Sequence, residues 1–108
     1  MDQTIQDFRN ALLDNLTGNI LPYWLDRMTD PRGGYYGRRD GHDVLEADAP
    51  RGAILNARIL WAFSAAYRVL RRPEYLEAAM RAKREIIDRF YDHEYGGVYW
   101  SVDARGRA

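Results

Sequence analysis

Arg58 is the residue of this sequence whose setting most strongly indicates chemistry. It lies in Gly52–Leu70, a strongly apolar segment that reads GAILNARILWAFSAAYRVL. On a helical wheel its side chain falls within apolar surface formed by Ile54, Ala62, Ala65 and Val69. A guanidinium is almost never buried without a partner, and it does not lose its proton. Arg58 is therefore paired with a carboxylate, extended towards the helix end, or aimed into a cavity where it binds a polar ligand or stabilises a developing oxyanion.

Two further residues are weaker candidates for contacting a substrate. Asn56 precedes Arg58 by two positions and points elsewhere around the helix, where a capping or bridging role is favoured. Trp100 lies beside a Gly-Gly loop, and tryptophan stacks on sugar faces as well as packing in cores. The candidate substrate-binding residues are therefore Arg58 first, then Asn56 and Trp100.

The sequence offers no catalytic residue and no metal site. His42 and His93 lie in the polar loops DGHD and YDHEYGG, without a second ligand at helical spacing. The acids are scattered, and none has an apolar setting that would raise its pKa for general-acid work. These scattered acids are Asp26, Asp30, Asp40, Asp43 and Asp48. No phosphate loop, nucleophile elbow or dinucleotide fingerprint is present.

Composition excludes several other classes of function. Sixteen basic and sixteen acidic residues cancel, which gives no electrostatic reason to bind nucleic acid or an anionic membrane. The absence of cysteine excludes disulfides and thiolate metal sites and fits a reducing cytoplasm. The polar N-terminus does not resemble a signal peptide, and no apolar run approaches the ~18 residues of a membrane span. We expect a cytoplasmic protein with neither nucleic-acid nor membrane partners.

Three helical segments must position these residues. Residues Asp2 to about Met28 carry an apolar stripe and are interrupted near Gly18 and Pro22, which predicts a kinked or divided helix. Gly52–Leu70 is apolar on nearly its whole circumference, so we expect it to be buried on all sides. A third helix from Pro73 to about Tyr91 is one-sided, and Glu85 is among the residues expected to face water. This order predicts an inner helix between outer ones.

Two loops share the pattern Gly-Gly-x-Tyr-x-x-x-Asp, as GGYYGRRD at Gly33–Asp40 and GGVYWSVD at Gly96–Asp103. Their glycines are expected to need positive φ or close backbone approach. The 63-residue offset predicts a repeat of two helices and a loop, and roughly three or more such units are needed for independent stability. We therefore expect residues 1–108 to be a single partial domain, the first one to two helical hairpins of a larger array.

The stretches RGAILNARILWAFSAAYRVL, PEYLEAA and YDHEYGGVYWSVDARG resemble the cellobiose 2-epimerases, within the wider N-acylglucosamine 2-epimerase family. The preceding ILPYWLDRMTDPRGGYYGRRDGHD resembles the N-terminal region of that family, so the resemblance extends from about Leu12 to Gly106. It implies an all-α fold, the N-terminal part of an (α/α)6 barrel in which inner helices line a pocket and outer helices surround them.

The resemblance also implies a reaction and assigns residues to it. The family inverts C2 of a reducing-end sugar without a cofactor, through ring opening, proton removal and reprotonation of an enediolate by two histidines. Arg58 matches the arginine of the family motif that binds substrate near the reacting carbons. His42 and His93 do not match the catalytic histidines, which lie on later inner helices, beyond residue 108. A pocket tyrosine of the family also falls beyond Ala108.

We therefore expect a fragment of a carbohydrate epimerase that is inactive alone and whose full-length parent binds an oligosaccharide. The first alternative is a fragment of an (α/α)6 glycoside hydrolase or lyase that uses carboxylates. The second is a non-catalytic helical module. If the 108-residue chain exists alone, Gly52–Leu70 lacks most of its cover, and we expect self-association.

Overall fold

Helices make up most of the chain, in the order that the sequence predicts. A computed structural model describes residues 2–107. The helices are α1 (Gln3–Asn15), α2 (Leu21–Arg27), α3 (Ala53–Leu70) and α4 (Pro73–Glu85). Two π-helical segments, Leu16–Ile20 and Ile86–Phe90, join α1 to α2 and extend α4. Strands β1 (Arg51–Gly52) and β2 (Ser101–Val102) pair antiparallel, with Arg51 opposite Val102.

The predicted interruption of the first helix is the π-helical segment Leu16–Ile20. It contains Gly18 and ends just before Pro22, which occupies a first-turn position of α2. Proline lacks an N–H, so within this continuous helical run it leaves a carbonyl of the preceding turn without a helical donor, and the π-helical segment accommodates that interruption. At the start of α1, Asp2 accepts a hydrogen bond from the Thr4 amide at 3.0 Å and caps the helix.

The core lies where α3 packs on α4, with contributions from α2 and the first Gly-Gly loop. Small residues allow the two helices to approach closely: Ala66, Ala78, Ala79 and Ala82 are all buried. Tyr35 reaches this core from the loop, and its hydroxyl donates a hydrogen bond to the Ala78 carbonyl at 2.8 Å. Burial raises the pKa of Tyr35 to about 12. The loop therefore packs as part of the core.

The expectation that α3 is buried on all sides is wrong for this chain. One face is buried, through Asn56, Ile59, Phe63 and Ala66. On the other side Trp61 is 74% exposed and Val69 is 76% exposed. The physical reason is that α4 and the neighbouring loop cover a single side of α3, so its remaining apolar surface has no neighbour among the described residues.

The two Gly-Gly loops make corresponding backbone hydrogen bonds, and those of the second loop enclose one residue more. In the first, the Asp30 amide donates to Gly34 and the Tyr36 amide donates to Met28, at 3.1 and 2.8 Å. In the second, the Asp92 amide donates to Gly97 and the Tyr99 amide donates to Phe90, at 2.9 and 2.8 Å. All four glycines have positive φ, which confirms the expected conformational requirement: Gly33, Gly34, Gly96 and Gly97.

The correspondence continues into the turns that follow these loops. The side chain of Asp40 accepts hydrogen bonds from the amides of His42 and Val44, at 2.8 and 2.9 Å. The side chain of Asp103, 63 positions later, accepts from Arg105 and Arg107, both at 2.9 Å. Asp40 and Asp103, the last residue of the sequence pattern in each loop, therefore close equivalent turns.

A buried ion-pair cluster joins the first loop, β1 and α4. Arg51 is 1% exposed and pairs through its guanidinium with Asp30, which is also fully buried. The same guanidinium donates to the Gly33 carbonyl at 2.9 Å and lies 3.4 Å from the Glu85 carboxylate. Burial alone would raise the pKa of Asp30, but hydrogen bonds from Arg32 and Arg51 outweigh it and lower the pKa. We call Arg51, Asp30 and Glu85 the buried cluster.

Glu85 contradicts the expectation that it faces water, because it is 5% exposed and belongs to this cluster. Its position explains why Gly34 cannot be replaced easily. A Cβ at residue 34 would lie 2.5 Å from the Glu85 carboxyl carbon. Gly97 also has positive φ, but a Cβ there would meet nothing within 4 Å. Gly34 and Gly97 therefore share a positive φ but differ in crowding, so the same substitution at both positions distinguishes backbone strain from steric overlap.

We expect Gly34→Ala to destabilise the chain more than Gly97→Ala. Both substitutions place a Cβ in the left-handed region, at a cost of about 1–2 kcal/mol. Gly34→Ala also displaces a carboxylate held by Arg51, which brings the expected loss in free energy of unfolding to about 3 kcal/mol. Urea unfolding followed by circular dichroism measures both values, and equal losses would contradict the crowding at Gly34.

Arg51→Ala is expected to lower the free energy of unfolding by about 3 kcal/mol, because it removes the buried cation shared by Asp30 and Glu85 and leaves each carboxylate only its more exposed partner, Arg32 or Arg89. The matched control is Arg38→Ala. Arg38 pairs with Glu46 in the same loop region, but this pair is exposed to solvent. An exposed ion pair contributes little, so the control is expected to unfold like the unmodified chain. Similar unfolding curves for the two variants would show that the buried cluster is not what stabilises the fold.

Candidate functional site

Arg58 lies at an open concavity between α3 and the first helical region. The concavity has a volume of about 530 Å³. Leu16, Leu21 and Trp24 line one side of it, and Leu55, Ile59 and Ala62 of α3 line the other. Arg58 is the one charged residue among the described residues that line it. The site is therefore an apolar depression with a single cation among its described lining residues.

The geometry removes one of the three alternatives for Arg58, the pairing with a carboxylate. Its side chain is exposed, and among residues 2–107 its guanidinium forms no ion pair, unlike that of Arg51. Its place on the lining of the concavity fits an arginine directed into a cavity, and its exposure also fits extension towards solvent. Such a cation can bind a polar ligand or stabilise negative charge, most strongly in a closed pocket whose apolar walls exclude water. Substrate binding by Arg58 stays a prediction.

The start of α3 is fixed from two directions, and this sets the position of Arg58. Strand β1 ends at Gly52, and the next amide, that of Ala53, donates to the Trp100 carbonyl at 3.0 Å. One residue before Gly52, the side chain of Arg51 is held in the buried cluster. Arg58 follows within the first two turns of the helix. The cluster and the β1–β2 pair therefore determine where the guanidinium emerges.

Asn56 and Trp100, the two weaker candidates, do not line the concavity beside Arg58. Asn56 is 1% exposed, and its amide group donates to the Gly52 carbonyl at 3.0 Å. Its Oδ1 atom is buried without a hydrogen-bond partner among the described residues. Trp100 is 77% exposed, at the β2 side of the start of α3, and does not line the concavity. Asn56 bridges the first turn of α3, which is the role that the sequence favours for it.

The histidines lie outside the concavity. His42 and His93 are both exposed, and the Nε2 atom of His93 lies 2.7 Å from the Ile87 carbonyl oxygen. Within residues 2–107, no three His, Cys, Asp or Glu side chains are grouped so that they could hold a metal ion. In the same part of the chain, no helix is both long and apolar enough to span a membrane.

No local sequence pattern indicates the buried cluster that positions the site. In the sequence Asp30 is one of several scattered acids, and nothing marks Arg51. A signal was nevertheless present for Glu85, because it follows Ala78 and Ala82 by seven and three positions and therefore shares their face of α4. That face is buried. A carboxylate on it requires a buried cation, and Arg51 supplies one.

Comparison with known proteins finds relatives that match about nine tenths of this chain. The chain is 62% identical over 99 residues to a cellobiose 2-epimerase of Bacteroides fragilis, a match that covers 91% of this chain and 25% of the relative. It is 41% identical over 98 residues to a cellobiose 2-epimerase of Ruminococcus albus, with the same coverage. A comparison with protein-family models found no match.

A solved structure gives the same result in three dimensions. The cellobiose 2-epimerase of Bacillus thermoamylovorans superposes with a TM-score of 0.90 and 43% identity, over 94% of this chain and 26% of that one. The all-α prediction is confirmed, and the chain corresponds to a part of an (α/α)6 barrel. It spans about a quarter of the length of these relatives, at the N-terminal end.

Proposed function

Because this chain belongs to the cellobiose 2-epimerase family, we propose that it forms part of an enzyme that epimerises cellobiose-like disaccharides at C2 of the reducing-end sugar. The observation that carries the proposal is the 62% identity over 99 residues, a segment that includes the helix bearing Arg58. The relatives named above are epimerases, whereas a glycoside hydrolase fragment has no support beyond the general resemblance of barrels. The chain spans a quarter of those relatives, so the activity is proposed for a longer protein.

The proposed reaction interconverts the glucose and mannose configurations without a cofactor. After ring opening, a base removes the proton at C2, and the electron pair moves to the carbonyl oxygen to give an enediolate. Return of a proton to the opposite face of C2 inverts that centre. Negative charge develops on oxygen in the first step, and a fixed cation at that position lowers the barrier.

Arg58 is the residue of this chain that we assign to that charge. Its guanidinium is permanently protonated, so it stabilises the enediolate across the neutral pH range. The apolar lining of the concavity supports the assignment because a low-dielectric wall strengthens the attraction between the guanidinium and an oxyanion. No described carboxylate pairs with Arg58, so a substrate oxygen need not displace an internal partner.

Proton transfer requires groups that this chain does not supply at the concavity. His42 and His93 are exposed and do not line it. We propose that the acid and base belong to a part of the longer protein outside residues 1–108. The chain would then contribute a substrate-binding arginine and part of the pocket wall.

The 108-residue chain alone is expected not to convert cellobiose to glucosylmannose, because it lacks the acid/base pair. Incubation with cellobiose followed by chromatographic separation of the two disaccharides measures this directly. The B. fragilis relative serves as the active control. Conversion above the enzyme-free background would contradict the assignment of the acid and base to another segment.

Arg58 can be tested in a chimera in which the matching segment of this chain replaces its counterpart in the B. fragilis epimerase. We expect the chimera to epimerise cellobiose, and Arg58→Ala to lower kcat/KM by about 10²–10³-fold, as for loss of an oxyanion donor. The matched control is Arg68→Ala, which removes an exposed arginine from the same helix outside the concavity. It is expected to leave kcat/KM nearly unchanged.

Three outcomes of the chimera experiment would count against the proposal. Near-normal turnover in Arg58→Ala would return Arg58 to a structural role. Equal losses in both arginine variants would indicate a general effect on α3 rather than a contact with substrate. Release of free glucose, in place of glucosylmannose, would favour the glycoside hydrolase alternative.

A further inference from the structure

A second concavity lies between the first Gly-Gly loop and the end of α4, and its lining is mostly charged. It has a volume of about 280 Å³ and shares no lining residue with the concavity of Arg58. One wall is the loop segment 31–34, and the other is formed by α4 and the π-helical segment that extends it. We call this concavity the arginine pocket, after the four arginines that line it: Arg32, Arg81, Arg84 and Arg89.

The charges of α4 are concentrated at the pocket because they share one face of a helix. Arg81 and Arg84 are three positions apart, and Arg89 follows Arg81 by eight. Side chains at such spacings are neighbours on a helix, and like charges in this arrangement destabilise it. The pocket lining has four arginines against two carboxylates, Glu85 and Asp88, although the chain as a whole has no net charge. The pocket therefore carries an excess of two positive charges.

Arg81 is held at the pocket without compensation of its charge. Its Nη1 atom donates to the carbonyls of Asp30 and Gly34 in the first loop, at 3.0 and 3.4 Å. Within residues 2–107 it forms no ion pair, and its Nε and Nη2 atoms make no hydrogen bond. A guanidinium has five N–H donors. Arg81 is therefore fixed in place by the loop, and most of its donors remain for solvent or a ligand.

Among residues 2–107 no carboxylate holds Arg84 firmly. Glu77 lies 3.7 Å from it, but both side chains are more than half exposed, and such an ion pair contributes little. Asp88 is exposed and forms no ion pair in this part of the chain. Glu85 is buried and is already paired within the buried cluster and with Arg89. An anion in the pocket therefore meets no strong internal competitor for Arg84.

The donors of the pocket indicate the chemical class of the ligand. Guanidinium groups form forked pairs of hydrogen bonds with carboxylates and with phosphate groups. A phosphate monoester has three strong acceptor oxygens and carries about two negative charges at neutral pH. This number of charges matches the excess of two positive charges in the lining. A single carboxylate would leave part of that excess uncompensated, so the pocket favours a phosphate-type oxoanion.

We propose that the arginine pocket binds a phosphate-type oxoanion, with Arg81 and Arg84 as its principal ligands and further positive charge from Arg32 and Arg89. The bound anion bridges the first loop and α4, which the buried cluster also joins. Binding to the folded chain therefore stabilises it. The site does not include Arg58, and the inference is independent of the epimerase proposal.

The test is a titration of the 108-residue chain with inorganic phosphate at constant pH and ionic strength, followed by heteronuclear NMR. The arginine Nε–H signals and the amides of Gly33 and Gly34 report on the pocket directly. We expect these signals to shift and saturate with a dissociation constant below about 10 mM, as for a small ion held by a few charged hydrogen bonds. Chloride at the same ionic strength is expected to give no saturation.

Three variants distinguish a site from a general attraction to positive charge. Arg84→Gln removes a pocket donor and should raise the dissociation constant at least about fivefold. The matched control, Lys83→Gln, removes the same charge from the adjacent exposed position of α4, outside the pocket, and should change the constant less than about twofold. Asp88→Asn removes a repelling carboxylate from the lining and should lower the constant about two- to threefold.

Circular dichroism of each variant confirms that it is folded before binding is compared. The absence of saturable shifts up to about 50 mM phosphate would overturn the proposal. So would equal weakening by Arg84→Gln and Lys83→Gln, or saturation centred on Arg58, because neither fits a site in this pocket. A parallel titration with glycerol phosphate identifies the source of the group. Tighter binding than that of inorganic phosphate assigns the pocket to phosphate esters, and weaker binding assigns it to the free ion.

Discussion

The position of the candidate site depends on one buried ion-pair cluster. Arg51, Asp30 and Glu85 come from three parts of the chain that are far apart in sequence: β1, the first Gly-Gly loop and α4. Two carboxylates and a guanidinium removed from water cost several kcal/mol unless each finds a partner. Here both carboxylates share Arg51, and Arg32 and Arg89 supply further positive charge. The Arg51 side chain also donates to the Gly33 carbonyl, whereas its Nε is buried without a hydrogen-bond partner among the described residues. The geometry of the loop, the strand and the helix is therefore fixed together.

This arrangement gives two arginines seven positions apart opposite environments. The buried cluster holds the start of α3, while Arg58 lies exposed at the concavity on the same helix. Arg51 is paired with internal carboxylates, whereas Arg58 forms no ion pair among the described residues.

Much of the fold was predictable because it rests on local patterns. Helix positions follow from apolar periodicity, and the paired glycines follow from their need for positive φ. The candidate site was predictable as far as Arg58, because one charge in an apolar helix is visible in a linear sequence. The buried cluster was not, since no local pattern shows that Arg51 meets a glutamate 34 positions later. Burial of α3 on all sides was expected for a related reason: apolar residues show what must be covered, but not by which neighbour. The exposed side agrees instead with the expectation that Gly52–Leu70 lacks most of its cover in a chain of 108 residues.

The π-helical segment between α1 and α2 sets the angular phase of the N-terminal helix. A π turn closes its hydrogen bond over five residues, as between the Leu21 amide and the Leu16 carbonyl, whereas an α-helical turn closes over four. Each residue of an α-helix accounts for about 100° of rotation. The π turn takes up one residue more than an α-helical turn, so the same sequence wound as continuous α-helix would turn α1 by about that angle. Leu13, which lines the concavity, would then point away from it, although no residue of α2, α3 or α4 had changed.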